Sequence, residues 1–412
     1  MNNRIKITLQ ICIISFFMFA DQNLMGPNLT LIAEDFNIVD KKDQYLGGII
    51  PLMFWIFGGT VALLIGYFTD LISRKHLFVI TVFIGEIPCL LSGFANNYIE
   101  FFIMRVLTGI GIGGIIPITY SILGDLYSAT ERIKIVTIVG LFSGLGIAVG
   151  QLVAGTLSDT LGWRFPFILF AIPNFVLAII FFLTVKEPDR GKMDHKFKNI
   201  KAMSSVDFFS IFKVKTNILV FLQGIFGTIP WGVFSIFMID YFVIEKGYLR
   251  PTATLVITLV GGMALFSSLA GGYIGNRLYK KNPKFLPLFC GIVTIIGVIP
   301  TSLLINSPFK TENNSIELLI YAFCTGLFIA MTAPNMKAIL LNVNGPYSRG
   351  TVFSLYNFAD DLGRGFGPFI IGNILIYYFG RNVAFNIANA FWVICGCLIL
   401  LMVYTFPKED GG

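Results

Sequence analysis

Ten residues near the first sixth of the chain return, in altered form, in its second half. Positions 66–75 read GYFTDLISRK and positions 272–281 read GYIGNRLYKK, so Gly66, Asp70, Arg74 and Lys75 correspond to Gly272, Asn276, Lys280 and Lys281, each 206 residues on. A second set keeps an offset of 217: Gly109 with Gly326, Pro117 with Pro334, Arg132 with Arg349, and Gly146, Gly150 and Gly155 with Gly363, Gly367 and Gly372. The difference of 11 residues fits one longer loop in the second half, near 306–315. A chain of 412 residues that repeats at half its length holds two homologous halves, each facing the same folding problem.

Composition says where that problem is solved. The chain is 55% hydrophobic and 13% charged, with 42 Phe, whereas soluble domains carry about 25% charged residues. Twelve apolar runs follow one another, at about 8–34, 45–69, 76–95, 99–126, 133–158, 164–185, 217–244, 252–276, 285–306, 315–341, 348–378 and 382–406. Each is long enough for a membrane-spanning helix, which needs roughly 20 residues. The long polar gap, 186–216, divides them six and six. The expected architecture is all-α and integral to a membrane, with two six-helix pseudo-symmetric bundles, 1–185 and 217–412, joined by a basic linker.

Lys and Arg in the loops set an orientation. Twenty fall on the side of the amino terminus, eight of them in 186–216, against seven on the other side (Lys41, Lys42, Arg164, Lys246, Arg250, Lys310, Arg381). This bias places both termini in the cytoplasm, and the expected location is the cell membrane. The net charge of +7 is then a topology signal, not a nucleic-acid signal, and the basic linker can rest on anionic lipid headgroups. The first run carries Asp21 and lacks a small-residue cleavage site, so it reads as a retained span. The six Cys lack metal-type spacing and read as packing residues. Asn313-Asn314-Ser315 is a formal glycosylation sequon.

Within this frame, several motifs occur together. GxxxDxxxRK lies between spans 2 and 3, with its altered copy between spans 8 and 9. RVLTGIGIGG (Arg105, Gly109, Gly111, Gly113) lies in span 4, Glu131-Arg132 enters span 5, and GWR occupies 162–164. Over its whole length the chain resembles the major facilitator superfamily. FADQNLMGPNLTLIAEDFNI in span 1 and GDLYSATER after span 4 resemble its spinster-type branch and related prokaryotic permeases. Gln22 stands where that branch usually has Arg, and Ile112 where it usually has Glu. The resemblance implies a secondary active transporter working by alternating access on a small organic or amphipathic solute, of lysolipid type by analogy. It implies a monomer among membrane lipids, a proton as coupling partner and no cofactor. It also implies that spans 1, 4, 7 and 10 line a central cavity, with Gln22, Asn23 and Trp231 among its candidates, while span 3 is peripheral.

Charges inside the bilayer are the sharpest chemical signal, since each costs about 2.5–3.5 kcal/mol on insertion scales and has to face a partner or water. Asp21 lies in span 1 and Arg105 in span 4, so the two can meet. A substrate that displaces the Arg would favour protonation of the Asp, giving proton–substrate exchange; the competing reading is a structural ion pair. Glu86 in span 3 brings the formal charge of the first half's buried set to −1. It reads either as a further coupling acid or as a neutral acid bonded to a neighbour. In the second half Asp360, Asp361 and Arg364 in span 11 and Lys337 in span 10 sum to zero. Asp360 and Arg364 share a helix face, for anchoring or for a zwitterionic or anionic head group.

Gly66, Asp70, Arg74 and Lys75, with Asp125 and Arg132, form the candidate gate of the first half. The carboxylate can pair with basic groups at a neighbouring helix end, and remaking that pair would bias one state over another; a static clamp is the alternative. The second copy, with Asn276, Arg277 and Lys280, has lost the acid and should gate more weakly. The Gly series in spans 5 and 11 suits close helix approach. Pro117 and Pro334 are expected to kink spans 4 and 10 at matching places. Phe54, Trp55, Phe57, Trp231, Phe234 and Phe237 either line a pocket or face lipid.

No GxxxxGK[ST] loop and no HExxH occurs, and Gly124-Asp125 lacks the remainder of an intramembrane aspartyl protease. No enzyme is expected. The alternatives to coupled transport are a transport-fold sensor and an uncoupled facilitator. The short segment after span 12 argues against the first and Asp21 against the second.

Overall fold

The computed structural model describes residues 3–127, 129–187, 209–308, 315–344 and 349–410, and no strand occurs among them. The sequon, the longer loop and most of the basic linker lie outside this set. So do the side-chain surroundings of Gly66, Asp70 and Arg132. The chain divides into two compact units, Met1–Ile200 and Lys201–Gly412.

Among the described residues, eleven helical stretches are long and apolar enough to cross a membrane, and the last, Thr351–Glu409, runs for 59 residues. One crossing takes roughly 20, so this stretch crosses twice. The division falls at Gly380, with φ 75° and ψ 166°, a conformation open to glycine because it has no Cβ to clash. The twelve expected spans follow, with Gly380 in the gap between spans 11 and 12.

Span 1 departs from an unbroken helix. It runs as a helix over Asn3–Ala20, passes through 3-10 turns at Asp21–Asn23 and Gly26–Asn28, and resumes as a helix over Leu29–Asp35. Pro27 supplies no N–H to the helix ladder and crowds the carbonyl four residues back. Asn28 Nδ2 takes up slack, donating to the Leu24 and Ala154 carbonyls at 3.3 Å each. Asp21 therefore sits where a helix ends.

The two proline positions behave differently. Span 4 is one helix, Tyr98–Leu126, with Pro117 inside it. Span 10 stops at Ile329 and restarts at Ala333, where Pro334 stands in the first turn and needs no N–H partner.

Small residues set the helix contacts. A Cβ on Gly146 or Gly150 would strike the span 1 carbonyls of Phe16 or Ala20; one on Gly363 or Gly367 would strike the span 7 backbone at Ile225 or Ile229. Span 5 thus packs on span 1 as span 11 packs on span 7. In the first half a Cβ on Gly111 would also meet the Gly85 backbone, so spans 3 and 4 touch main chain to main chain. Span 3 exposes Ile80, Ile84, Ile87 and Leu91 on one face and buries Phe78, Val82, Glu86 and Cys89 on the other. The exposed stripe suits hydrocarbon, and the close Gly85–Gly111 approach turns Glu86 inward.

Candidate functional site

The break in span 1, the inner face of span 3, span 4 and span 6 converge on one polar cluster. Asp21, Glu86, Arg105, Cys89 and Asn174 are all buried in it. Asn174 Nδ2 donates to Glu86 Oε1 and, at 3.3 Å, to the Ile14 carbonyl. Arg105 Nη2 donates to the carbonyl of Asp21 at 2.8 Å. Its guanidinium lies 5.5 Å from the Phe54 ring centroid and 5.3 Å from that of Phe167, a cation–π setting that offsets part of its desolvation. Sequence reasoning joined Asp21 to Arg105, and they do meet, but through the main chain of Asp21. Both Asp21 carboxylate oxygens, Glu86 Oε2, and Arg105 Nε and Nη1 have no hydrogen-bond partner among the described residues.

Carboxylate oxygens of Asp21 and Glu86 and the Cys89 sulfur lie within 4.8 Å of one another. With Arg105 beside them, two carboxylates leave a net charge of −1. One positive charge balances it, whereas a divalent metal would leave a positive excess in a buried site. Asn174 and Cys89 were missed in the sequence because a lone Asn or Cys in an apolar run carries no spacing signal.

At the basic loop of the same half, Arg74 is 3% exposed and pairs with Asp125 of span 4. Its Nη1 also donates to the Ser121 carbonyl at 3.2 Å. Glu187, just past span 6, accepts from Ser73 Oγ and, at 2.8 Å, from the Arg74 N–H. Lys75 lies 4.7 Å from the Phe182 ring centroid. Loop 2–3, span 4 and span 6 are tied together here, with Glu187 and Ser73 as members that the motif did not announce. Burial raises the Glu187 carboxyl, but the Ser73 and Arg74 hydrogen bonds and the Arg74 charge outweigh it and hold the group below its ordinary range. A depressed acid contributes stability that is complete above its unfolded value of about 4.5 and is lost as pH falls through the folded value. Glu187→Gln should therefore flatten the fall in melting temperature below about pH 4.5 relative to wild type. A pH series of thermal melts checks this.

The second copy of the motif is looser. Asn276, Arg277 and Lys280 are exposed, and Arg277 stacks over Tyr273 at 4.4 Å from the ring centroid. In span 11, Asp360 lies against span 7: its carbonyl accepts from Thr228 Oγ1 at 2.8 Å, and its Oδ1 fills the space left by Gly224. Arg364 and Lys337 act electrostatically on Asp360, and Arg364 also on Asp361. Lys337 and Arg364 therefore lie within electrostatic reach of Asp360, and Arg364 of Asp361. Trp231 is half-buried against Trp392, with ring centroids 6.3 Å apart. Gln22 is half-buried and Asn23 buried beside Asp21.

The opposite end of each half carries a clamp not predicted from the sequence. Arg164 pairs with Asp35, which also accepts from Trp163 Nε1 at 3.1 Å, and Arg164 Nη2 donates to the Ala95 carbonyl at 2.9 Å. Arg381 pairs with Asp240 at 2.8 Å and lies 3.7 Å from Glu245. Arg164 and Arg381 are 217 residues apart, the offset of the repeat, so the signal was available.

Comparison with known proteins places this arrangement. A family model described as the Major Facilitator Superfamily matches residues 11–368. The vacuolar basic amino acid transporter 1 of Saccharomyces cerevisiae is 23% identical over 394 residues; the alignment covers 92% of this chain but 65% of the yeast protein, so the chain spans just under two thirds of that relative. Among solved structures, a bacterial homologue of the human lysosomal transporter Spinster superposes with a TM-score of 0.85 at 19% identity, covering 99% of this chain and 98% of the other. A D-xylose–proton symporter superposes with a TM-score of 0.75 at 18% identity, covering 98% of each chain. With twelve spans in two repeated halves and a family match along most of its length, the chain belongs to the Major Facilitator Superfamily and has its multi-pass membrane fold.

Proposed function

We propose that the protein is a proton-coupled secondary active transporter of a small organic or amphipathic solute. It works as a monomer in the cell membrane with both termini in the cytoplasm. The reading is carried by Asp21: its carboxylate is fully buried, neither oxygen receives a donor among the described residues, and Arg105 lies close enough to bond its carbonyl. Such an acid has strong reason to bind a proton when no positive charge faces it and to release it when one does. Asp21 is the proton carrier and Arg105 its movable counter-charge. Asp360, Asp361, Arg364 and Lys337, with Trp231 of the same half, are the groups proposed to recognise the solute's polar head; Gln22 and Asn23 are proposed as substrate-facing residues of the first half.

The clamp of Arg74, Asp125 and Glu187, together with Gly66, Asp70, Lys75 and Arg132, acts as the principal gate. The exposed set Asn276, Arg277 and Lys280 contributes less. The solved symporter couples D-xylose to protons, the Spinster homologue belongs with a lysosomal transporter, and the yeast relative carries basic amino acids. These names set the substrate screen. Purified protein is tested by thermal shift against lysophospholipids, basic amino acids, sugars and amphipathic drugs, since a specific ligand stabilises by mass action. The hit is then assayed for uptake into liposomes with and without an imposed pH gradient. Accumulation that ignores the gradient would remove proton coupling from the reading.

A further inference from the structure

Among its described residues the first half holds two fully buried carboxyl groups, where coupling at Asp21 needs one. Asp21 comes from the end of the first helix of span 1 and Glu86 from the inner face of span 3, and both are 0% exposed. One carboxylate oxygen of each and the Cys89 sulfur lie within 4.8 Å of one another. Asn174 of span 6 bonds Glu86 Oε1, but Glu86 Oε2 and both Asp21 oxygens have no donor among the described residues. The charged or titratable groups at this cluster are Asp21, Glu86, Cys89 and Arg105. Span 6 offers the neutral Asn174, and spans 2 and 6 add the rings of Phe54 and Phe167.

Two carboxylates cannot bond each other unless one carries a hydrogen, because each is then an acceptor alone. Side by side they also repel, and like charges so placed do not both ionise. Arg105 compensates one negative charge and leaves one over. A single proton removes that excess and supplies the missing donor in the same step. We propose that Asp21 and Glu86 are one proton-binding unit that holds a single proton in common, so that Glu86 is a second coupling residue and not a neutral spacer bonded to Asn174. The two groups then titrate as a pair.

The pair offers its proton a choice of position. With the proton on Glu86, the Asp21 carboxylate is free to draw Arg105 towards it. With the proton on Asp21, the negative charge rests on Glu86 and Arg105 is released. The inference deepens the transport reading above, but its test uses no substrate and no gradient, so either can fail while the other stands.

The full chain is purified as wild type and as Asp21→Asn, Glu86→Gln and the double variant. Infrared difference spectra between acid and alkaline pH report buried protonated carboxyl groups by their C=O stretch. Each single variant balances Arg105 with one remaining carboxylate and needs no proton. The wild-type band should therefore vanish in Asp21→Asn as well as in Glu86→Gln. The double variant leaves Arg105 unbalanced and should melt below both singles, by on the order of 10 °C.

If Glu86→Gln does not fold, Glu86→Asp identifies the band by shifting it, and the Asp21→Asn spectrum then decides. A Glu86 band that survives in Asp21→Asn would show two independent acids and overturn the proposal. A double variant as stable as the singles would also overturn it. So would a melting temperature raised by Na+ over choline in wild type but not in Glu86→Gln, because the shared ion would then be a metal cation.

Discussion

Asp21→Asn should abolish uphill accumulation of substrate while leaving binding and downhill exchange in place. Asparagine has nearly the shape of a protonated aspartic acid and cannot release a proton. It therefore holds the site permanently in one of its two states. One pH unit is worth about 1.4 kcal/mol, so a carrier that moves one proton per substrate concentrates it about tenfold per unit of gradient. The variant should reach a ratio of one whatever gradient is imposed. The fold should survive, since Glu86 still balances Arg105 and the neutral amide costs less to bury than a carboxylate. Uptake into proteoliposomes at several gradients, beside counterflow exchange with none, separates the two properties. A variant that still concentrates substrate tenfold would make Asp21 a structural partner and move the coupling step to Glu86 or to Asp360 and Asp361.

The residues that carry this argument were unequally legible. Twelve spans and their division in two followed from composition and the repeat. The close approach expected of the Gly series also followed, but its partners did not: Gly146 and Gly363 stand at the same offset, and each meets the backbone of the first span of its half. The break in span 1 was written in Gly26-Pro27 but passed over, since the apolar run around it is long enough to cross unbroken. Glu86 could be seen as a charge in a span, yet its partner could not. Asn174 is 88 residues away, and the contact depends on spans 3 and 6 packing together. Arg74 was seen as part of a motif, but Glu187, which holds its loop in place, lies outside any motif. Burial of an ion pair is the property least readable from the chain, because identical residue types at matched positions end in different surroundings.

Arg164 and Arg381 show that difference, and it yields the second large effect. Both follow a glycine with positive φ, Gly162 at 84° or Gly380 at 75°, and both pair with an acid from the first span of their own half. The Arg164 and Asp35 side chains are 37% and 39% exposed, whereas those of Arg381 and Asp240 are 5% and 1% exposed. Water screens the first pair, and such pairs contribute about 0–1 kcal/mol. Removing one partner of a buried pair leaves an uncompensated charge and costs about 3–5 kcal/mol. Arg381→Ala should therefore lower the melting temperature by on the order of 10 °C, and Arg164→Ala by a few degrees at most. The part of the loss that comes from the stranded Asp240 charge is recoverable. Arg381→Met combined with Asp240→Leu removes both charges at similar volume and should restore most of the stability. Thermal melts of the three variants in one detergent make the comparison. Equal losses in Arg164→Ala and Arg381→Ala would show that burial does not set the strength of these clamps. A double variant no better than Arg381→Ala would show that packing, not charge, is what the arginine supplies.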